Sequence, residues 1–129
     1  MKSKGRKKML GIIGLIIINV IMGSFGQIYM KMGLKETGGL NLNDILSIKL
    51  FQTVFDKYVF LGISLYILSA VLWLVVLSQG DVSMVYPLIS ISYIVTAVLA
   101  KFYFNEQIGI LRWLGILLIL GGVFLIARS

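Results

Sequence analysis

Neither cysteine nor histidine occurs anywhere in this chain, and proline occurs once. Without cysteine there is no disulfide framework and no thiol nucleophile. Without histidine the commonest metal ligand is missing, and so is the side chain that titrates nearest neutrality. Acids are also scarce. The five present are Glu36, Asp44, Asp56, Asp81 and Glu106, and none falls deep within an apolar run. No nucleophile–base pair or metal cluster can be drawn from them, so the sequence is read as no enzyme, with neither cofactor nor metal. Charge as a whole is low: 13% of the 129 residues are charged and 59% are hydrophobic. Mean hydropathy is +1.00. Soluble domains are about 25% charged, so this is the composition of a membrane protein.

What charge there is lies unevenly. Lys2, Lys4, Arg6, Lys7 and Lys8 form a basic tail over residues 1–8, ahead of the uncharged run Met9–Met30. Such a tail directly before an apolar span suits anionic lipid headgroups, and no nucleic-acid partner is expected. The run is too long for a signal peptide and ends without a small-residue cleavage site. Its twenty-two residues, at about 1.5 Å each, reach roughly 33 Å, enough to cross a bilayer core.

The expected fold is an all-α integral membrane protein, a hairpin-rich bundle of four transmembrane helices forming one domain over residues 1–129. The spans are placed at about 9–31, 58–80, 82–101 and 107–127. Gly33 and the Gly38–Gly39 pair stop the first. Charges spread through residues 34–57 rule out a span there. Instead Asn43 is expected to cap a short helix over 43–55, with Ile45, Ile48, Phe51 and Phe55 on one side, lying in the membrane interface; an ordered loop packed across the helix ends is the alternative. Gln79–Gly80–Asp81 is a tight turn. Asn105 and Glu106 are expected to cap the fourth helix, where a carboxylate stabilises the N-terminal end.

With four spans both termini share one side. That side holds the five N-terminal basic residues and Arg128, while Lys31, Lys35, Lys49, Lys57, Lys101 and Arg112 fall on the other. The counts balance. The density of the N-terminal cluster favours termini in the cytoplasm, and the balance leaves room for dual orientation.

Two stretches carry the functional signal. In the first span, Asn19, Gly23, Gln27 and Lys31 recur every four residues and stack on one helix face. That row either lines a polar passage or ties helices together, with Lys31 reaching to the interface. In the third span, Pro87 removes an N–H and leaves the Ser83 carbonyl without its helical partner. Tyr86, Ser90 and Tyr93 stand within two turns of it, making a polar, aromatic patch or merely a satisfied kink. Gly115 and the Gly121–Gly122 pair allow close approach of another helix to the fourth span.

The stretch Gly26, Gln27, Ile28, Tyr29, Met30, Lys31 resembles the Gly-Gln-x-x-x-Lys segment of four-helix members of the drug/metabolite transporter superfamily. Tyr86, Pro87 and Ser90, then Glu106, Trp113, Gly115, Gly121 and Gly122, extend the likeness over nearly the whole chain beyond the basic tail. It is greatest to the EamA-like subunits that include the aminoarabinose–undecaprenyl-phosphate flippase proteins. The resemblance implies a carrier in which two four-helix protomers, the same or related, build the path. In the related small multidrug resistance exporters a buried glutamate exchanges protons and cationic drugs. Its position falls on Gly23 here, so no counter-charge for a cation is present. Lys31, Lys101 and Arg112 instead offer partners to an anion.

The expected function is a flippase in the bacterial plasma membrane that moves a lipid-linked sugar, such as an undecaprenyl-phosphate glycolipid, between leaflets. An exporter of small amphiphiles and a non-transporting assembly subunit of a membrane glycosyltransferase remain open beside it. The candidate substrate-facing residues are Asn19, Gln27, Lys31, Tyr86, Ser90, Tyr93, Lys101 and Glu106. The expected partners are the lipid-linked substrate, the membrane, and a second four-helix chain in a homodimer or heterodimer.

Overall fold

In the computed structural model, which describes residues 2–129 with side chains from Gly5 onward, six α-helices and two short 3-10 turns follow one another, with no strand among the described residues. They are α1 (Lys2–Thr37), α2 (Ile48–Val54), α3 (Lys57–Gln79), α4 (Val82–Leu88), α5 (Ser92–Phe104) and α6 (Ile110–Arg128). Four stretches are long and apolar enough to cross a membrane: Gly5–Thr37, Lys57–Gln79, Val82–Phe104 and Ile110–Arg128. The fold is therefore the four-span helical bundle expected from the sequence.

Helix α1 extends beyond both ends of its apolar run. Lysine and arginine are good helix formers and outnumber the single Gly5, so the basic segment is helical despite it, with Arg6, Lys7 and Lys8 exposed. At the other end Gly38 and Gly39 adopt φ of +86° and +83°. The Gly39 N–H donates to the Leu34 carbonyl at 2.8 Å. This left-handed turn satisfies an otherwise orphaned carbonyl and ends the helix at the glycine pair, whereas Gly33, expected to stop it too, lies inside α1 against α3.

The segment between the first two spans divides in two. Asn41, not Asn43, begins a 3-10 turn over Leu42–Asp44, its N–H donating to Asp44 Oδ2 at 2.9 Å. Helix α2 starts only after Ser47. Asn43 lies inside the turn because the Asp44 carboxylate reaches back three residues, a spacing that selects Asn41. Thr53 is buried, while Ile48, Phe51 and Phe55 point outward. Asp56 then caps α3, its carboxylate accepting from the Tyr58 and Val59 N–H groups at 3.1 and 3.4 Å.

The third span is broken at its proline. Pro87 cannot donate, and α4 gives way to a 3-10 turn over Ile89–Ile91 before α5 resumes the α-helical path. The Ile89 and Ser92 N–H groups bond three residues back, to the carbonyls of Tyr86 and Ile89. The chain stays helical by tightening after the residue that cannot take part.

Asn105 and Glu106 do not cap the last helix. Asn105 has φ 52°, closing α5 in the left-handed conformation that asparagine tolerates. Residues 105–109 are non-helical, and α6 begins at Ile110 behind Gly109.

Packing is strongest between α1 and α3. Ile12, Ile16 and Val20 of α1 meet Val76 of α3, Val85 and Leu88 of α4, and Val123 of α6 in an aliphatic cluster, with Ala127 against it. The start of α1 and the end of α6 therefore lie at one end of the bundle. Toward the other end the α1 and α3 backbones come together at Gly26 and Gly62. A Cβ placed on Gly62 would lie 2.5 Å from the Gly26 carbonyl oxygen and 2.7 Å from the Met30 nitrogen. Gly62→Ala should consequently cost about 1–3 kcal/mol through overpacking, and should lower the melting temperature of the protein in detergent. Gly11→Ala, with nothing within 4 Å of its new methyl and a better helix former in place of glycine, should not lower that temperature.

Candidate functional site: a polar cavity and a cationic groove

Beyond the aliphatic cluster the bundle opens into a cavity of about 530 Å³ framed by α1, α3 and the broken third span. Asn19, Gly23, Ser24 and Gln27 line it from α1, Tyr66, Ser69 and Trp73 from α3. Tyr86, Ser90, Ser92, Tyr93 and Thr96 line it from the third span. Tyr86, Ser90 and Tyr93 stand at i, i+4 and i+7, so the helical path past Pro87 presents them on one face toward this space. No carboxylate lines the cavity.

Its polar groups are partly engaged in holding helices together. The buried Asn19 amide donates to the Ser69 carbonyl, and Thr96 Oγ1 donates to Ser24 Oγ at 3.1 Å. Asn19 thus ties α1 to α3 and also lines the cavity. Trp73 and Tyr86 meet edge to face, their centroids 6.2 Å apart.

A second hollow, of about 720 Å³, lies toward the end of α1 between Gln27, Met30, Lys31, Leu34, Lys35, Gly38 and Gly39. Gln27 belongs to both hollows. Lys31 forms an ion pair with Glu106, whose segment joins the third and fourth spans. The Lys31 and Lys35 ammonium groups stand 5.3 and 4.4 Å from the centre of the Phe104 ring, within cation–π range.

Five of the eight sequence-derived candidates, Asn19, Gln27, Tyr86, Ser90 and Tyr93, share the cavity. Lys31 and Glu106 meet outside it, and Lys101 lies exposed on α5, lining neither hollow. The sequence reading missed the α3 wall. Tyr66, Ser69 and Trp73 recur at i, i+3 and i+7, a polar and aromatic stripe at helical spacing that could have exposed it.

The Lys31 hydrogen bond holds the Glu106 carboxyl below its ordinary value of 4.5, aided by the charges of Lys31, Lys35 and Arg112. A depressed carboxylate pKa stabilises the contact above the ordinary value and loses it as pH falls through the lower one. The Glu106 side-chain carboxyl, followed by carbon NMR, should titrate below 4.5. Lys31→Gln should bring the midpoint back toward that value.

Comparison with known proteins places the architecture. Residues 41–128 match the EamA-like transporter family. The chain is 32% identical over 118 residues to a Photorhabdus laumondii protein named as a probable 4-amino-4-deoxy-L-arabinose-phosphoundecaprenol flippase subunit, ArnF. That match covers 87% of this chain and 93% of the relative. The ArnF protein of Proteus mirabilis, of the same description, is 30% identical over 126 residues, covering 88% and 89%. An ArnE protein of Pseudomonas fluorescens, named as a probable subunit of the same flippase, is 37% identical over 57 residues, 44% of this chain. The matched region spans about half the length of this and two further Pseudomonas ArnE relatives. No solved structure matches the chain. Four membrane-crossing helices, the family match and the near full-length likeness to ArnF proteins agree with the resemblance carried by the motifs: the chain is a multi-pass membrane protein and belongs to the EamA-like transporter family.

Proposed function

We propose that the chain is one half of a carrier in the bacterial inner membrane that moves a lipid-linked sugar phosphate of the undecaprenyl class between leaflets. The observation that carries this reading is Gln27. It stands where an aromatic, hydroxyl-lined and acid-free cavity meets a groove bearing Lys31 and Lys35. A sugar suits the first space, since binding sites pair apolar and aromatic walls with a few placed polar groups. A phosphate suits the second, as a partner for ammonium groups. The names of the ArnE and ArnF relatives support the same substrate class. The prenyl tail stays in lipid, and alternating access carries the headgroup. With the termini in the cytoplasm, this arrangement is closed on the cytoplasmic side and open away from it.

The second half comes from another four-helix chain, identical or related. The outward face of α6 supports this: Gly115, Gly121 and Gly122 have open space beside them, flanked by exposed Leu117, Leu118 and Leu125. Small residues let a neighbouring helix approach closely. The outward Ile48, Phe51 and Phe55 of α2 suit the headgroup layer at the open end.

Transport of a fluorescent prenyl-phosphate sugar in reconstituted vesicles tests the reading. Lys31→Ala removes a charged hydrogen-bond partner worth roughly 1.5–3 kcal/mol, so transport should fall about ten- to hundredfold with expression and assembly intact. Unchanged transport would reject the role of Lys31, and efflux of cationic amphiphiles with no lipid movement would favour an exporter.

The assembly is tested separately. Gly121→Leu with Gly122→Leu should abolish cross-linking between chains in membranes and abolish transport with it. A chain that stays monomeric in membranes and still moves substrate would refute the two-body carrier.

A further inference from the structure

The partner of Lys31 is itself an anion. Glu106 lies 75 residues away in sequence, on the short non-helical segment between α5 and α6, yet its carboxylate ends at the Lys31 ammonium beside the cationic groove. The left-handed Asn105 turns the chain out of α5 immediately before it. Phe104 lies beneath both Lys31 and Lys35. Glu106 thus brings one negative charge and planar acceptor oxygens to the ammonium assigned above to the substrate phosphate. A prenyl phosphodiester brings one negative charge as well.

We propose that Glu106 is a built-in competitor for the headgroup site. It holds Lys31 while the carrier is empty, and an entering monoanionic phosphodiester displaces it. The inference rests on the phosphate-binding role of Lys31 proposed above and goes beyond it. Exchange of partners unties residues 105–109 from α1, so occupancy of the groove is coupled to the junction of the third and fourth spans. Two anions on one ammonium repel each other, which makes the exchange mutually exclusive. Lys31 and Lys35 from α1 and Arg112 from α6 all keep Glu106 ionised at neutral pH. A competing anion, not a proton, is therefore what releases Lys31 there. The exchange also favours substrates carrying a negative charge, because a neutral headgroup cannot replace the carboxylate.

The test uses the full chain in phosphatidylcholine nanodiscs and dihexyl phosphate, a phosphodiester that keeps a single charge across neutral pH, with its binding measured by calorimetry. Removing the competitor with Glu106→Gln should tighten binding about two- to fivefold, the worth of an exposed ion pair. Lys31→Gln should weaken it at least about tenfold. The double variant should bind like Lys31→Gln, since the competitor has nothing left to hold. Unchanged or weaker binding by Glu106→Gln, alongside the Lys31→Gln loss, overturns the competitor and leaves the phosphate site standing. Wild-type binding by Lys31→Gln overturns the phosphate site itself. Should Glu106→Gln fail to fold, the wild-type protein still decides the matter. The chain has two glutamates, Glu36 and Glu106, so the Glu106 carboxyl is readily resolved by carbon NMR. Saturating dihexyl phosphate should move it to its position in Lys31→Gln protein, and a resonance that stays in place refutes the displacement.

Discussion

Where α1 crosses α3, the two backbones approach with only hydrogens at the Gly26 and Gly62 α-carbons between them. In lipid there is little hydrophobic gain from pressing one apolar helix on another, so close packing and hydrogen bonds must hold the pair. The glycine crossing supplies the first. Nearer the aliphatic cluster, the Asn19 amide reaching the Ser69 carbonyl supplies the second. Together they fix the rotation of α1 about its own axis, and that rotation decides where the i, i+4 row points. With α1 so held, Asn19, Gly23 and Gln27 face the cavity and Lys31 faces the groove. A change at the crossing would therefore be felt at the site without touching it.

The third span contributes in the opposite way, through a defect. Pro87 breaks the regular ladder, and the 3-10 turn that follows shifts the angular phase of every later residue. Tyr86 before it and Tyr93 after it stand two turns apart, and both still line one cavity. The 3-10 turn itself borders a polar space, through Ile89 and Ser90, where irregular backbone within a membrane is tolerated.

Much of this was legible in the sequence, and the exceptions share a cause. Spans are read from unbroken apolar runs, the end of α1 from two adjacent glycines, and the polar row from its own period. Each is a local property. The caps that differ are those where a competing partner decides the outcome. Asn105 followed by Glu106 reads as a helix cap, but it is Lys31, far back in the chain, that takes the carboxylate. Asn43 reads as a cap until the reach of Asp44 selects Asn41 instead. Lys101 stands on an exposed face of α5, apart from both hollows. The α3 wall differs in kind: its stripe of Tyr66, Ser69 and Trp73 was visible, but two of the three are residues that any apolar span accommodates.

The aliphatic cluster at the termini end gives the cavity a floor. Ile16, Val76 and Val85 are almost wholly shielded, and they stack with Ile12, Val20 and Leu88 without a polar atom among their side chains. Water filling the polar space from the open end stops there, because a hydrogen-bonded chain of water needs polar partners to continue. An energised membrane loses its ion gradients through any continuous thread of water. A membrane protein with a polar hollow of this size must therefore keep one dry layer intact. In this arrangement seven branched aliphatic side chains, Val123 of α6 among them, form that layer and serve as its insulation.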